Sequence, residues 1–194
     1  MQTNLLWEGR EYYSLENCLV DDTTDGLKVR STIVGYYEGK IYRVEYIIET
    51  NKLYQTTYLE VSCWHNDTIQ QFKFNGDGKG NWTSEGKTLE EFRGCIDVDI
   101  PLTPFTNTLP IKRLNLSKDQ TAEIKVIYCD LLEESITPVR QKYTCISNTS
   151  YHYENVPNDF EATIKVDYSG FVIDYPALFI RKAALKSHYK IQPG

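Results

Sequence analysis

The sequence predicts an all-β, single-domain protein whose strongly curved antiparallel sheet has a spiral β-roll or barrel-like form. Many short segments alternate apolar and polar residues with a period of two, and turn-forming residues separate these segments at regular intervals. Tyrosine, which favours strands, occurs 15 times in 194 residues. Because a sheet of about ten such strands has edges to hide, we expect it to roll or close, which creates a concave inner face.

The predicted strands follow one another along the chain with turn signals between them. Residues 27–37 and 41–49 predict a hairpin around Glu38-Gly39. The glycine-rich run 75–81 predicts a hairpin loop rather than a calcium site, because the glutamate that closes a calcium-binding loop is missing. Further strands are predicted at residues 54–64, 68–74, 121–129, 138–146, 151–153, 160–167 and 171–175.

The C-terminal part of the chain shows a different pattern. Residues 177–187, ALFIRKAALKS, predict a short C-terminal helix. We expect residues 1–181 to form the β-roll domain and residues 182–194 to be a C-terminal extension. A chain of this length is typical of one domain.

Composition and charge argue against several classes of partner. The net charge of −6 opposes nucleic-acid binding, which depends on basic residues that neutralise phosphates. No apolar stretch approaches the ~18 residues of a membrane helix, so no integral membrane association is expected. The sequence contains no pattern that calls for a cofactor.

The five cysteines and the N-terminal residues predict a cytoplasmic protein. The cysteines are odd in number, widely spaced and without a CxxC pair, which favours small buried thiols over zinc ligands. The first residues, MQTNLLWEGREYY, lack the basic start and apolar run of a signal peptide. Without export, the thiols are expected to remain reduced.

Residues 99–116, DIPLTPFTNTLPIKRLNL, combine three prolines with threonine, asparagine and apolar residues. Proline cannot donate a hydrogen bond within a sheet, so we expect a stiff extended path along a sheet edge or across the mouth of the roll. Two interpretations stay open for this segment. It is either a rigid closure of the roll or a polar rim that holds a ligand.

Asp97 and Asp99 are two residues apart, which places both carboxylates on one face of a strand. This pattern allows a divalent-metal site or an acid/base pair. It equally allows a structural role, in which the carboxylates bond backbone amides of the following loop or pair with Arg113. The histidines, at positions 65, 152 and 188, are far apart, so neither a metal site nor a base for a cysteine nucleophile is indicated.

Several segments, in order, resemble a bacterial family known as "putative glycolipid-binding". The most specific is GCIDVDIPLTPFTNTLPIKRL at 94–114, which resembles the central signature of that family. One departure is YQTT at 54–57, where relatives carry an arginine in a W-x-T-R pattern. The other matching segments are STIVG (31–35), YRVEYII (42–48), GDGKGNW (76–82), VRQKYTCI (139–146), YHYEN (151–155) and VDYSGFVIDYPALFIR (166–181), with Trp7 and Glu16 upstream.

The resemblance implies a rolled, spiral β-sheet and a lipid or glycolipid ligand. We therefore expect a non-catalytic binding protein for an amphiphilic small molecule. The alternatives are an interaction or assembly protein, such as a homo-oligomer, and an enzyme built on the two carboxylates. The expected ligand-binding residues are Asp97, Asp99, Thr103, Thr106, Asn107, Arg113 and Tyr143.

Overall fold

The computed structural model describes residues 1–187, and the polypeptide forms one sheet of 15 strands. The first eight strands are β1 (Gln2–Gly9), β2 (Ser14–Thr23), β3 (Gly26–Tyr37), β4 (Lys40–Thr50), β5 (Thr56–His65), β6 (Thr68–Gly76), β7 (Trp82–Ser84) and β8 (Lys87–Thr88).

The second half of the chain adds a 3₁₀ helix (Glu90–Phe92), an α-helix and the other seven strands. These elements are β9 (Asp97–Asp99), α1 (Phe105–Leu114), β10 (Thr121–Asp130), β11 (Ser135–Ser147), β12 (Ser150–Val156), β13 (Glu161–Val166), β14 (Val172–Tyr175) and β15 (Phe179–Ser187).

The strand order is a meander folded about its middle. From one edge it runs from β8 back to β1, then from β15 back to β9. All neighbours are antiparallel except β9 and β10. The fold class predicted from the sequence is confirmed: the sheet is strongly curved, antiparallel and unclosed. Its edge strands, β8 and β9, have only two and three residues, which leaves little unpaired backbone at either edge.

Two apolar clusters fill the curve of the sheet. The larger lies against β1–β6 and includes Trp7, whose indole Nε1 donates to the Val172 carbonyl oxygen at 2.9 Å. The smaller lies inside β10–β15. Helix α1 contributes to both clusters, because Phe105 and Leu109 belong to the first and Ile111 to the second. The helix therefore joins the two halves of the core.

The segment at residues 99–116 is not extended, so that prediction was wrong. Residues 105–111 are helical and all buried, so tertiary packing outweighs the low helix propensity of a segment with Pro110 inside it. The hydroxyl Oγ1 of Thr103 accepts from the Phe105 amide at 3.0 Å and so supports the first turn. Asn115 ends the helix in the left-handed conformation, which asparagine adopts at helix C-termini.

The helix predicted at residues 177–187 was also wrong. This segment forms β15, which pairs with β1 from Phe179 to Ser187. The backbone amides of β15 form hydrogen bonds with β1 at every second residue. The stabilisation from this pairing outweighs the helical propensity of the alanines, leucine and lysines in β15. The boundary expected after residue 181 falls inside this strand. Residues 188–194 lie outside the described part of the chain.

The other strand predictions agree with the structure within a few residues, but β1, β2 and the short strands β7 and β8 were not foreseen. Strand β2 turns two polar residues, Ser14 and Glu16, to the inside, which breaks the expected alternation. The five cysteines are buried free thiols. Among residues 1–187, no helix is both long and apolar enough to cross a membrane.

The buried Glu16 carboxylate connects three strands to the segment that precedes α1. Its Oε1 accepts hydrogen bonds from Ser31 and Tyr46, both at 2.7 Å, and from Thr103 at 2.9 Å. Burial raises the pKa of Glu16 from 4.5 to about 7, although these three bonds oppose the shift. Folding therefore takes up a proton at this position near neutral pH.

We predict that Glu16→Gln changes the pH dependence of stability. The proton on Glu16 stabilises the fold fully below about pH 4.5, and this contribution is lost as the pH rises through about 7. From pH 5 to pH 8, the variant should gain stability relative to the wild type by up to ~3 kcal/mol. Urea denaturation across this range measures the difference, with the exposed Glu91→Gln as control. Parallel curves for wild type and Glu16→Gln would contradict the prediction.

Candidate ligand-binding site

A cavity of about 470 Å³ opens between the inner face of the second half of the sheet and the start of α1. Its size falls within the ~300–1,000 Å³ that is usual for small-molecule sites. The lining comes from the β1–β2 turn, residues 99–107, strands β10, β11 and β12, the β12–β13 turn and the hairpin formed by β14 and β15. These segments are distant in sequence and meet only because the sheet curves.

One wall of the cavity is aromatic. Ring centroids lie 6.2 Å apart for Tyr153 and Tyr175, and Phe160 lies 6.1–6.2 Å from both. The row continues through Phe179 to Tyr12, at 6.3 and 5.9 Å. Such a wall offers ring faces and edges for an apolar group or for the C–H face of a sugar.

The floor of the cavity is polar and centres on Asp99. Thr106 Oγ1 donates to Oδ1 of Asp99 at 2.9 Å, and Gln141 Nε2 donates to Oδ2 at 2.6 Å. Burial raises the pKa of Asp99, while these two donors favour the ionised form. Each carboxylate oxygen has more than one lone pair, so Asp99 can also accept hydrogen bonds from a molecule in the cavity.

Three of the seven expected ligand-binding residues line this cavity: Asp99, Thr103 and Asn107. Two more lie directly behind it. Thr106 holds Asp99, and the hydroxyl of Tyr143 accepts from Asn107 Nδ2 at 2.9 Å. These two residues position the floor and do not themselves line the cavity.

The remaining two expected residues, Asp97 and Arg113, lie outside the cavity lining. Arg113 forms a fork with Asp97, with Nε at 3.0 and 3.1 Å from the two carboxylate oxygens and one terminal nitrogen at 2.5 Å. Burial raises the pKa of Asp97, and the adjacent guanidinium opposes that shift. This pair connects the C-terminal turn of α1 to β9. Asp97 therefore has the structural role, pairing with Arg113, that the sequence allowed as an alternative to a metal site or an acid/base pair.

The tyrosine count indicated aromatic rings on the concave face, but the particular rings of this wall were not identified from the sequence. Tyr143 and Tyr153 are directly paired across β11 and β12, and both are buried on the inner face. Alternation along the two strands places them on one side, but the sequence does not show which face is concave. Gln141 was missed because glutamine on a strand carries no motif.

Neither of the two histidines within residues 1–187 lines the cavity. His65 lies at the end of β5, 3.4 Å from Glu134, and His188 is outside the described residues. His152 lies with two glutamates, at 154 and 161, on the outer face of β12 and β13. Lys142 and Asn158 already bond those carboxylates, which accounts for the group without a metal.

The fold and site together define an open, curved-sheet protein with an aromatic-walled cavity and a carboxylate on its floor. The profile of the "Putative glycolipid-binding" family matches residues 4–181, and the chain belongs to this family. The crystal structure of a DUF1089 family protein from Pseudomonas aeruginosa at 1.80 Å resolution is similar, with a TM-score of 0.77 and 31% identity. The match covers 86% of this chain and 91% of that one. No protein with a curated description matches the sequence.

We predict that Arg113→Met lowers the free energy of unfolding by about 3–5 kcal/mol, because Asp97 then remains buried without its partner. The matched control is Arg93→Met, which removes an exposed pair with Glu90 and should cost less than ~1 kcal/mol. Chemical denaturation measures both losses. Equal, small losses would contradict the structural role of the buried pair.

Proposed function

We propose that this protein binds a small amphiphile without catalysing a reaction, and that the ligand is a glycolipid, as the family name suggests. The observation that carries this proposal is the continuity of the aromatic wall with the polar floor in one cavity. Burial of an alkyl chain against the rings contributes about 25 cal/mol per Å². A hydroxyl-rich head group can donate to Asp99 at the floor.

A carboxylate-based enzyme is less well supported. The two carboxylates expected to act together, Asp97 and Asp99, face different partners, and only Asp99 lines the cavity. Asp97 is neutralised by a fork of hydrogen bonds from Arg113, so it is not placed to exchange protons with a molecule in the cavity. This geometry supports binding over catalysis.

A cytoplasmic location is part of the proposal. The five thiols at positions 18, 63, 95, 129 and 145 are free and buried, which suits a reducing compartment. In such a location the ligand would be a lipid precursor or another amphiphile of the inner membrane leaflet.

Binding is tested with dodecyl β-glucoside, titrated below its critical micelle concentration and followed by calorimetry. We predict saturable binding that Phe160→Ala weakens about tenfold. The Phe160 ring is 39% exposed at the mouth of the cavity, so a bound alkyl chain would cover apolar surface that is otherwise in contact with water. Tyr168→Ala, which removes a ring 92% exposed in the β13–β14 turn, should bind as the wild type does. Absence of saturable binding to the wild type would refute the proposed function.

A second candidate function is assembly with another protein chain. Across the outer face of the first half, the pairs Leu15–Val34 and Trp64–Ile69 form a row, with Arg43 between them. Leu15, Val34 and Ile69 are 47–63% exposed, and the Arg43 guanidinium lies 5.0 Å from the Trp64 ring centroid. Exposed apolar residues that adjoin one another in this way mark interaction surfaces.

If this row mediates self-association, Val34→Lys should convert an oligomer into a monomer while leaving glucoside binding unchanged, because the row is on the outer face. Sedimentation velocity over a range of concentrations measures the change, with Leu53→Lys, an exposed apolar residue elsewhere, as control. A wild-type protein that sediments as a monomer at all concentrations would exclude self-association through this surface.

A further inference from the structure

More negatively charged than positively charged side chains line the cavity. Among residues 1–187, three carboxylates, those of Glu11, Asp99 and Asp159, line it, against one guanidinium, that of Arg140. Glu11 and Asp159 are exposed near the mouth, whereas Asp99 lies at the floor. A molecule that enters the cavity therefore meets negative charge at both ends of its path.

Arg140 does not balance this charge. Its Nη1 donates at 3.1 Å to Oε1 of Glu123, which is outside the cavity lining, and its side chain is 60% exposed. A guanidinium in that setting is screened by water and already paired. The carboxylate of Asp99, which is screened much less, has the greater effect on a bound head group.

The partners of Asp99 are neutral. Thr106 and Gln141 satisfy it with one hydrogen bond each, and the neighbouring cation, Arg113, is bound to Asp97 instead. Two neutral donors orient the carboxylate but leave its charge in place. Because both groups donate to Asp99, they favour its ionised form against the effect of burial, and neither supplies a charge that would neutralise it.

Three tyrosines line the cavity close enough to Asp99 to be affected by its charge: Tyr153 and Tyr175 of the aromatic wall, and Tyr128 of β10. Burial raises the pKa of Tyr128, Tyr153 and Tyr175, and in each case the negative charge of Asp99 raises it further. A phenolate forming on this wall is thus disfavoured by repulsion from Asp99. A phosphate or carboxylate placed against the same rings would meet the same repulsion and would also lose its hydration.

We infer that the cavity selects amphiphiles whose head group donates hydrogen bonds and carries no negative charge, and that Asp99 is the residue that sets this selectivity. The inference rests on the proposed function, because it names the chemical class of the head group that the cavity accepts. Sugars with free hydroxyls belong to this class. Phospholipids with anionic head groups, and lipids that end in a uronic acid, do not.

The test compares two probes that share one alkyl chain, dodecyl β-glucoside and dodecyl β-glucuronide, by calorimetry at pH 7.5. The wild type should bind the glucoside at least about tenfold more tightly, equivalent to ~1.4 kcal/mol. Asp99→Asn keeps the shape of the floor but removes its charge. This variant should lower the ratio several-fold, mainly through tighter binding of the glucuronide.

Glu85→Gln is the matched control, because it removes one negative charge from the β7–β8 turn, outside the cavity lining. It should keep the wild-type ratio. If Asp99→Asn does not fold, the double variant Glu11→Gln/Asp159→Asn removes the two other carboxylates of the cavity lining instead. It should lower the ratio by a smaller factor, because these exposed groups are screened by water.

The outcomes separate the two claims. Equal binding of both probes by the wild type, or an unchanged ratio in the charge-removing variant, overturns the charge selectivity and leaves the proposed function standing. Failure of the wild type to bind either probe overturns the proposed function together with the inference drawn from it.

Discussion

The structure depends on one constraint, which is that an open curved sheet must have its inner face covered, and helix α1 provides much of that cover. A short helix that contains proline has little stability of its own, so it persists only because residues 105–111 are buried. Burial also brings polar groups inside, and each of them needs a partner. Around the helix, the carboxylates of Glu16, Asp97 and Asp99 are the partners of Thr103, Arg113 and Thr106, respectively.

The three carboxylates have different consequences because their surroundings differ. Asp97 is neutralised by a cation and holds the end of α1. Glu16 is surrounded by hydroxyl groups and takes up a proton on folding. Asp99 is held by neutral donors at the edge of unfilled space, so its charge acts on whatever occupies that space. The segment from 99 to 114 is therefore both a closure of the roll and the floor of the cavity.

Much of the fold could be predicted from the sequence, but the candidate site could be predicted only in part. Strand positions follow from local alternation, and β3 to β5 agree with prediction because their inward residues are mostly apolar. The polar floor was found through its motif, since Asp99, Thr103 and Asn107 lie close together in the chain. The rings of the aromatic wall could not be named from the sequence because they come from three hairpins that are far apart in the chain, and no local pattern indicates that they meet.

The sequence by itself determined the all-β class and the positions of most strands along the chain. It also determined the absence of a membrane-spanning pattern and the clustering of polar residues near position 100. These properties arise from side chains within a few positions of one another, where periodicity is visible. Tertiary structure alone decided that residues 105–114 are helical, that 179–187 form a strand and that Asp97 and Asp99 have different roles. Each of these outcomes depends on burial or strand pairing with residues distant in the chain, which outweighs local propensity.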